Sequence, residues 1–264
     1  MPLGAFESEV LRAIAANRNP DSFVAGATVL HQQSDSPRSS RDVDLFHDTM
    51  AALASAVLED SNALQAAGFD VELGPDRETF RRAIVKKARR ETKVEWVFDS
   101  AFRFFPVERD VQLGWKLNFW DAATNKALAL AGRSELRDCV DLVYLHQRHL
   151  HLGALAWAAA GKDPGFTPES LIGWMQRHAI FRPDDLLALA TSQPVDLQSL
   201  KKHWLEASDS ALQLISRLPM VEAGCFYLDA SGKPVCPDPD SPHFGSLRRH
   251  YGSVKGAWPR IAGS

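Results

Sequence analysis

Cysteine is scarce in this chain of 264 residues. Cys139, Cys225 and Cys236 form no CxxC pair and leave one thiol over under any disulfide scheme. That argues against a disulfide scaffold and for a reducing compartment. No apolar run is long enough to cross a bilayer: the longest, Leu152 to Ala160, is about half the ~20 residues that a spanning helix requires. The opening MPLGAFESEV holds an early acid and lacks the basic start and apolar stretch of a secretion signal. Neither sign of charge dominates, and a formal net charge of −3 supplies no global pull towards nucleic acid or membrane. Internal repeats and long low-complexity tracts are missing too. The expectation is a cytoplasmic protein with no membrane partner.

What is present suits a globular chain: 45% of residues are hydrophobic and 24% charged, ample for a core. Up to about Arg148, strand and helix signals alternate. Ser22 to Ala25 reads as a short buried strand broken by Gly26, and Asp42 to Phe46 as a second strand. Apolar residues at helical spacing from His47 to Ala67 predict a helix ending at Gly68. Asp70–Leu73, Phe80–Val85 and Lys93–Phe98 read as strands, and Gly114–Phe119 as one more. Asp121 is expected to cap a helix over Ala122–Ala131, and Ser134 a second helix from Glu135 to about His149. Thr167-Pro168 marks another helix start, and Asp196 to Arg217 forms one long amphipathic helix. Phe226 to Val235 predicts a small hairpin, and the Pro-, Gly- and Ser-rich segment from Cys236 a poorly ordered tail. The fold class expected is α+β, an α/β-like front half followed by a mainly helical region.

The segment that carries chemistry is Arg38-Ser-Ser-Arg-Asp42-Val-Asp44-Leu-Phe46. Residues two apart on a strand share a face, so Asp42 and Asp44 project together while Val43 points into the core. Their Cα atoms stand roughly 6.5 Å apart. Two like charges so placed raise each other's pKa. A divalent cation removes that cost, and Mg²⁺ favours one or two carboxylates together with triphosphate oxygens. Upstream, Val24-Ala-Gly26-Ala27-Thr28-Val-Leu30 is a strand that breaks at glycine and enters a helix, a turn whose N–H groups suit phosphate. DxD alone is common at strand ends; the conjunction with a small-residue turn is what singles it out.

Gly26-Ala-Thr-Val-Leu30 followed by Arg38-x-Ser40-x-Asp42-x-Asp44-Leu-Phe46 resembles the opening motifs of the nucleotidyltransferase superfamily, and in particular of the AbiEii/AbiGii toxin family, whose pattern reads GGTAL and then RxSxDIDL. Ala27 replaces that family's second small residue. The family's later signature, a lysine on a helix, an arginine, then RDxxDL, is matched by Lys126, Arg133 and Arg137-Asp138-Cys-Val-Asp141-Leu142. The resemblance implies a nucleotidyltransferase fold, a mixed sheet flanked by helices, with residues 1–120 as core, 121–237 as a helical region completing the site, and 238–264 as tail.

It also implies roles. Asp42 and Asp44 would hold one or two Mg²⁺ ions, with Glu95 as a third acid and Asp99 as its competitor. Gly26, Ala27, Thr28, Arg38, Ser40 and Arg133 would contact the nucleoside triphosphate. Lys126 would place charge on the triphosphate, and Asp141 would orient Lys126 or the acceptor. The acceptor implied is an RNA end, such as that of tRNA, or a nucleotide, in a growth-inhibiting toxin with a cognate antitoxin. A small-molecule nucleotidyltransferase and a non-catalytic binding protein remain as alternatives. The basic run from Arg81 to Lys93 could guide an RNA backbone or form a solvated turn. His146, His149 and His151 read as a polar helix end, because helical spacing unites only the first two and no Cys or carboxylate completes a tetrahedral set.

Overall fold

The computed structural model describes residues 3–32, 36, 38–40, 42–189, 191 and 194–259. In chain order the helices are α1 (Ala5–Ile14), α2 (Gly26–Leu30), α3 (Met50–Ala66), α4 (Phe119–Gly132), α5 (Leu136–Arg148), α6 (Leu152–Ala159), α7 (Pro168–His178) and α8 (Leu197–Arg217). The strands are β1 (Ser22–Val24), β2 (Asp42–His47), β3 (Asp70–Leu73), β4 (Phe80–Lys87), β5 (Arg90–Phe98), β6 (Phe102–Arg103), β7 (Glu108–Asp110), β8 (Gly114–Lys116), β9 (Cys225–Leu228), β10 (Arg248–Tyr251) and β11 (Ser253–Val254). The chain forms two compact units, residues 1–101 with 106–122, and residues 102–105 with 123–264.

The first unit is built on a seven-stranded mixed sheet in the order β3-β4-β5-β2-β1-β8-β7. β2 runs parallel to β5, and β1 parallel to β8; the other neighbours are antiparallel. Helices α1 and α3 pack on β2 and β5, burying Val43, Leu45, Val94 and Trp96 beneath Val10, Ile14, Leu53 and Leu64. Each such side chain contributes about 1.5–3 kcal/mol on leaving water. Period-two alternation then places Asp42, Asp44, Lys93 and Glu95 at the half-buried positions of the same strands.

Beneath this sheet lies one buried charged network. Asp60 of α3 is fully buried and accepts from Arg18, from Asn17 Nδ2 at 2.9 Å and from Trp96 Nε1 at 2.7 Å. Arg18 also donates to Ser22 Oγ at 2.9 Å. The network joins α3 to β5 and to the entry of β1.

In the second unit α6 is buried along its whole length, which explains the apolar run there: it packs against α7, α8 and β9. Among the described residues no helix is long and apolar enough to cross a membrane. Thr167 caps α7 in a capping box with Ser170, and Asp196 caps α8 through Gln198 and Ser199.

Four local expectations change. Glu135, not Ser134, precedes α5, which begins at Leu136, and among the described residues no side chain caps that end. Asn118, not Asp121, opens α4: its Oδ1 accepts from Trp120 N at 2.9 Å and its carbonyl from Ala122 N, so the helix begins earlier and Asp121 lies inside its first turn. The hairpin expected from Phe226 to Val235 shrinks to a bridge between Leu228 and Pro234, because β9 takes β10 as its main partner. The segment from Cys236 is correspondingly ordered where it pairs: β10 adds to β9, and β11 adds to β6. An unpaired strand edge is a template for exactly such addition by any later segment of extended pattern. Residues 260–264 of the expected tail lie outside the described residues.

Candidate active site

The predicted site residues gather in two sets, one within each unit. In the first, Asp42 and Asp44 stand on one face of β2, both half-buried. Gly26 lies directly against Asp44: its φ of +65° is left-handed, and a Cβ there would overlap the Asp44 carboxylate, with Cγ only 3.0 Å away. Ala25 N donates to Asp44 O at 2.9 Å, tying the turn to the strand. Glycine is therefore required by both conformation and space. Ala27 and Thr28 follow within α2, both buried. Thr28 Oγ1 is a buried hydroxyl without a hydrogen-bond partner among the described residues. Ser40 is buried, and its Oγ donates to Asp42 O at 2.8 Å, fixing the start of β2; Arg38 is buried nearby in sequence.

Strand register supplies the rest. Asp42 pairs laterally with Lys93, and Asp44 with Glu95. Lys93 Nζ lies 3.0 Å from Asp42 Oδ2 and 3.5 Å from Glu95 Oε1. Glu95 is also held by Arg82, at 2.7 Å and 2.9 Å. The sequence places Lys93 only at the end of the basic run; its position beside Asp42 depends on which strand lies next to β2. Its ammonium stands where a cation would sit between two carboxylates. Among the described residues no three His, Cys, Asp or Glu side chains converge as a metal set. Asp42 and Asp44 on one face of β2 could hold Mg²⁺ with substrate oxygens completing its shell, since that ion commonly takes only one or two protein carboxylates. Glu95 is engaged by Arg82 and Lys93 instead. Asp99 sits past the end of β5, where its Oδ1 accepts from Ser100 N at 2.8 Å.

The second set surrounds the α4–α5 turn. Lys126 Nζ lies 2.7 Å from Asp138 Oδ1 and 3.2 Å from Asp141 Oδ2, both aspartates being fully buried. Arg133 Nε reaches Asp138 Oδ2 at 2.8 Å. The i,i+3 spacing of Asp138 and Asp141 on α5 is what brings both to one lysine. Burial alone would raise the Asp138 pKa. Lys126 and Arg133 outweigh it and hold the carboxyl below its usual range. Arg137, one residue before Asp138, lies 3.7 Å from Glu135 Oε2. Cys139, buried between the two aspartates in sequence, has its thiol pushed up to about 12 by burial and by their charge, so it is no nucleophile at neutral pH.

Other candidates resolve into structure. Lys87 and Arg90 of the basic run pair with Glu9, Lys86 with Glu72, and Arg81 with Asp76. His146 Nδ1 accepts from Leu152 N at 3.0 Å, and His151 Nδ1 from Gly153 N at 3.1 Å. Both imidazoles therefore cap the start of α6.

The fold is shared with solved structures at low identity. JHP933 from Helicobacter pylori has a TM-score of 0.52 at 19% identity, over 79% of this chain and 91% of that one. A putative nucleotidyltransferase from H. pylori gives 0.51 and 19%, over 81% and 97%. MenT4, a nucleotidyltransferase toxin from Mycobacterium tuberculosis, gives 0.52 and 15%, over 78% and 82%. No curated protein matches. The sequence profile of the nucleotidyl transferase AbiEii toxin of type IV toxin–antitoxin systems matches residues 9–220, a span that includes every residue of both sets. The chain belongs to the AbiEii nucleotidyltransferase toxin family.

Proposed function

We propose that this protein transfers a nucleoside monophosphate from a nucleoside triphosphate to an RNA end, such as that of tRNA, as the toxin of a toxin–antitoxin pair. The observation that carries the reading is the packing of Gly26 against Asp44, with Asp42 on the same face of β2. A carboxylate pair beside a glycine turn is suited to a metal–triphosphate and has no evident packing purpose.

Bound by Asp42 and Asp44, Mg²⁺ would supply charge neutralisation on the phosphate oxygens. Gly26, Ala27 and Thr28 would line the phosphates, Thr28 offering its unspent hydroxyl; Arg38 and Ser40 would hold the approach to β2. Lys126 and Arg133 would offset charge on the departing pyrophosphate, and Asp141 would orient Lys126. The acceptor hydroxyl oxygen bonds the α-phosphorus, the bond to the bridging oxygen breaks, and pyrophosphate leaves. The hydroxyl proton passes to solvent. Glu95, tied to Arg82 and Lys93, would act by shaping the charge beside Asp44 rather than as a metal ligand.

Incubation with each α-labelled triphosphate and total RNA tests the reading. Label should enter RNA with wild-type protein and not with Asp44→Ala of native fold. Label entering small hydroxylated compounds instead would favour the small-molecule alternative. A chain that shows no melting shift with any Mg-nucleotide at saturation would mark a non-catalytic binder.

A further inference from the structure

We propose that Asp138 is a positioning residue for triphosphate recognition, its carboxylate fixing Lys126 and Arg133 as one cationic pair. The proposal rests on the reading above, in which those two cations meet the triphosphate. The sequence places Asp138 within the RDxxDL signature without giving it a role; its contacts do.

The two oxygens of Asp138 are divided between the cations. Oδ1 takes Lys126 Nζ at 2.7 Å, and Oδ2 takes Arg133 Nε at 2.8 Å, with a second guanidinium nitrogen 3.4 Å from Oδ1. Asp141 holds Lys126 from one side at 3.2 Å. Asp138 thus joins the lysine on α4 to the arginine just beyond its end. Exposure differs sharply along the chain of contacts. The Asp138 side chain is 0% exposed, Lys126 9% and Arg133 50%. A flexible lysine and arginine each carry substantial rotamer entropy, which an anion would have to offset on binding. Here the buried carboxylate has already fixed both, the kind of preorganisation that strengthens binding without new contacts.

Stability by itself does not explain the arrangement. Taking a carboxylate and an ammonium out of water is costly, and well-packed apolar residues commonly serve at least as well. The cluster makes sense if its cations are wanted at the α4–α5 turn.

The test uses full-length protein labelled with ¹⁵N-lysine and magnesium tripolyphosphate as the probe, so that neither a nucleobase nor turnover is needed. The Lys126 side-chain resonance is assigned through Lys126→Arg. In wild type it should shift as tripolyphosphate is added. In Asp138→Asn the unliganded resonance should already differ, and the tripolyphosphate Kd should rise about tenfold, the size expected for one charge-assisted hydrogen bond. Arg133→Ala alters a half-exposed residue, so it keeps the proposal testable if Asp138→Asn does not fold. It should weaken binding in wild type, and its effect should largely vanish when combined with Asp138→Asn. Equal Kd values for wild type and Asp138→Asn, an undisturbed Lys126 resonance in Asp138→Asn, an Arg133→Ala variant that binds as wild type does, or independent multiplication of the two effects would each overturn the proposal. If tripolyphosphate binding depends on Asp138 but the wild type transfers no nucleotide, the transferase reading fails and the positioning role stands. If transfer occurs without dependence on Asp138, the reverse holds.

Discussion

Lys93 reaches across the parallel β2–β5 pair to Asp42, Nζ to Oδ2 at 3.0 Å. The carboxylate proposed to receive Mg²⁺ is thus already met by a protein cation, so metal and lysine compete for it. Lys93→Met should tighten Mg²⁺ binding roughly two- to fivefold, the equivalent of a partly exposed ion pair worth about 0.4–1 kcal/mol. Calorimetric titration with Mg²⁺ alone measures this. Weaker binding in the variant would show that Lys93 supports the metal site instead of opposing it.

Gly26→Ala should abolish most activity, because the new methyl group meets the Asp44 carboxylate and the φ of +65° strains any L-residue by about 1–2 kcal/mol. Gly68→Ala is the matched control. Its φ is +80°, yet a Cβ there meets nothing within 4 Å. Both variants should lose about 1 kcal/mol or more in urea denaturation, and only Gly26→Ala should lose transfer. Equal retention of transfer by both would remove Gly26 from the site.

Asp60→Ala should destabilise the protein by about 3–5 kcal/mol, the usual cost of leaving a buried charge unpaired, here Arg18. Trp96 and Asn17 lose their acceptor at the same time. Chemical denaturation reads the loss directly, and a change below about 1 kcal/mol would mean that water reaches Arg18 in the native state.

Acid should destabilise the fold well above the carboxylate range. Burial, then the Arg18 charge, lowers the His47 pKa from 6.5 to about 4. Burial, then His146, lowers His151 to about 4 as well. Each ring is held neutral in the folded state, so between pH 6.5 and 4 the unfolded chain binds more protons. The stabilisation is complete above about pH 6.5 and is lost progressively as pH falls towards 4. For His47 the full shift corresponds to about 3 kcal/mol. Melting temperature should drop from pH 7 to pH 5, and His47→Phe should flatten that slope; an unchanged slope would show that His47 is not held neutral.

Much of the fold and half of the site follow from local pattern. Alternation along Asp42–Phe46 and Lys93–Phe98 placed Val43, Val94 and Trp96 inward and the acids outward. Helical spacing set Asp138 and Asp141 on one face, and Thr167 and Asp196 announced their helices. The α4 cap was misplaced because Asn118 and Asp121 are both competent caps, and only the path of the chain out of β8 selects between them. The order of the chain after Cys236 was missed because β10 gains its structure from β9, a partner that no local composition reveals.

What the sequence determined by itself is therefore whatever repeats within a few residues: the shared face of Asp42 and Asp44, the glycine turn before Thr28, and the lysine–arginine–aspartate order from Lys126 to Asp141. Tertiary structure decided the pairings. Register between β2 and β5 gave Asp42 the ammonium of Lys93, register between β4 and β5 set Arg82 beside Glu95, and the fold of α5 against α4 made Asp138 a link between Lys126 and Arg133. The reason is the range of the forces. Strand and helix periodicity are properties of consecutive backbone dihedrals, whereas an ion pair forms only where distant segments are brought within about 4 Å, and burial of the whole core fixes that approach.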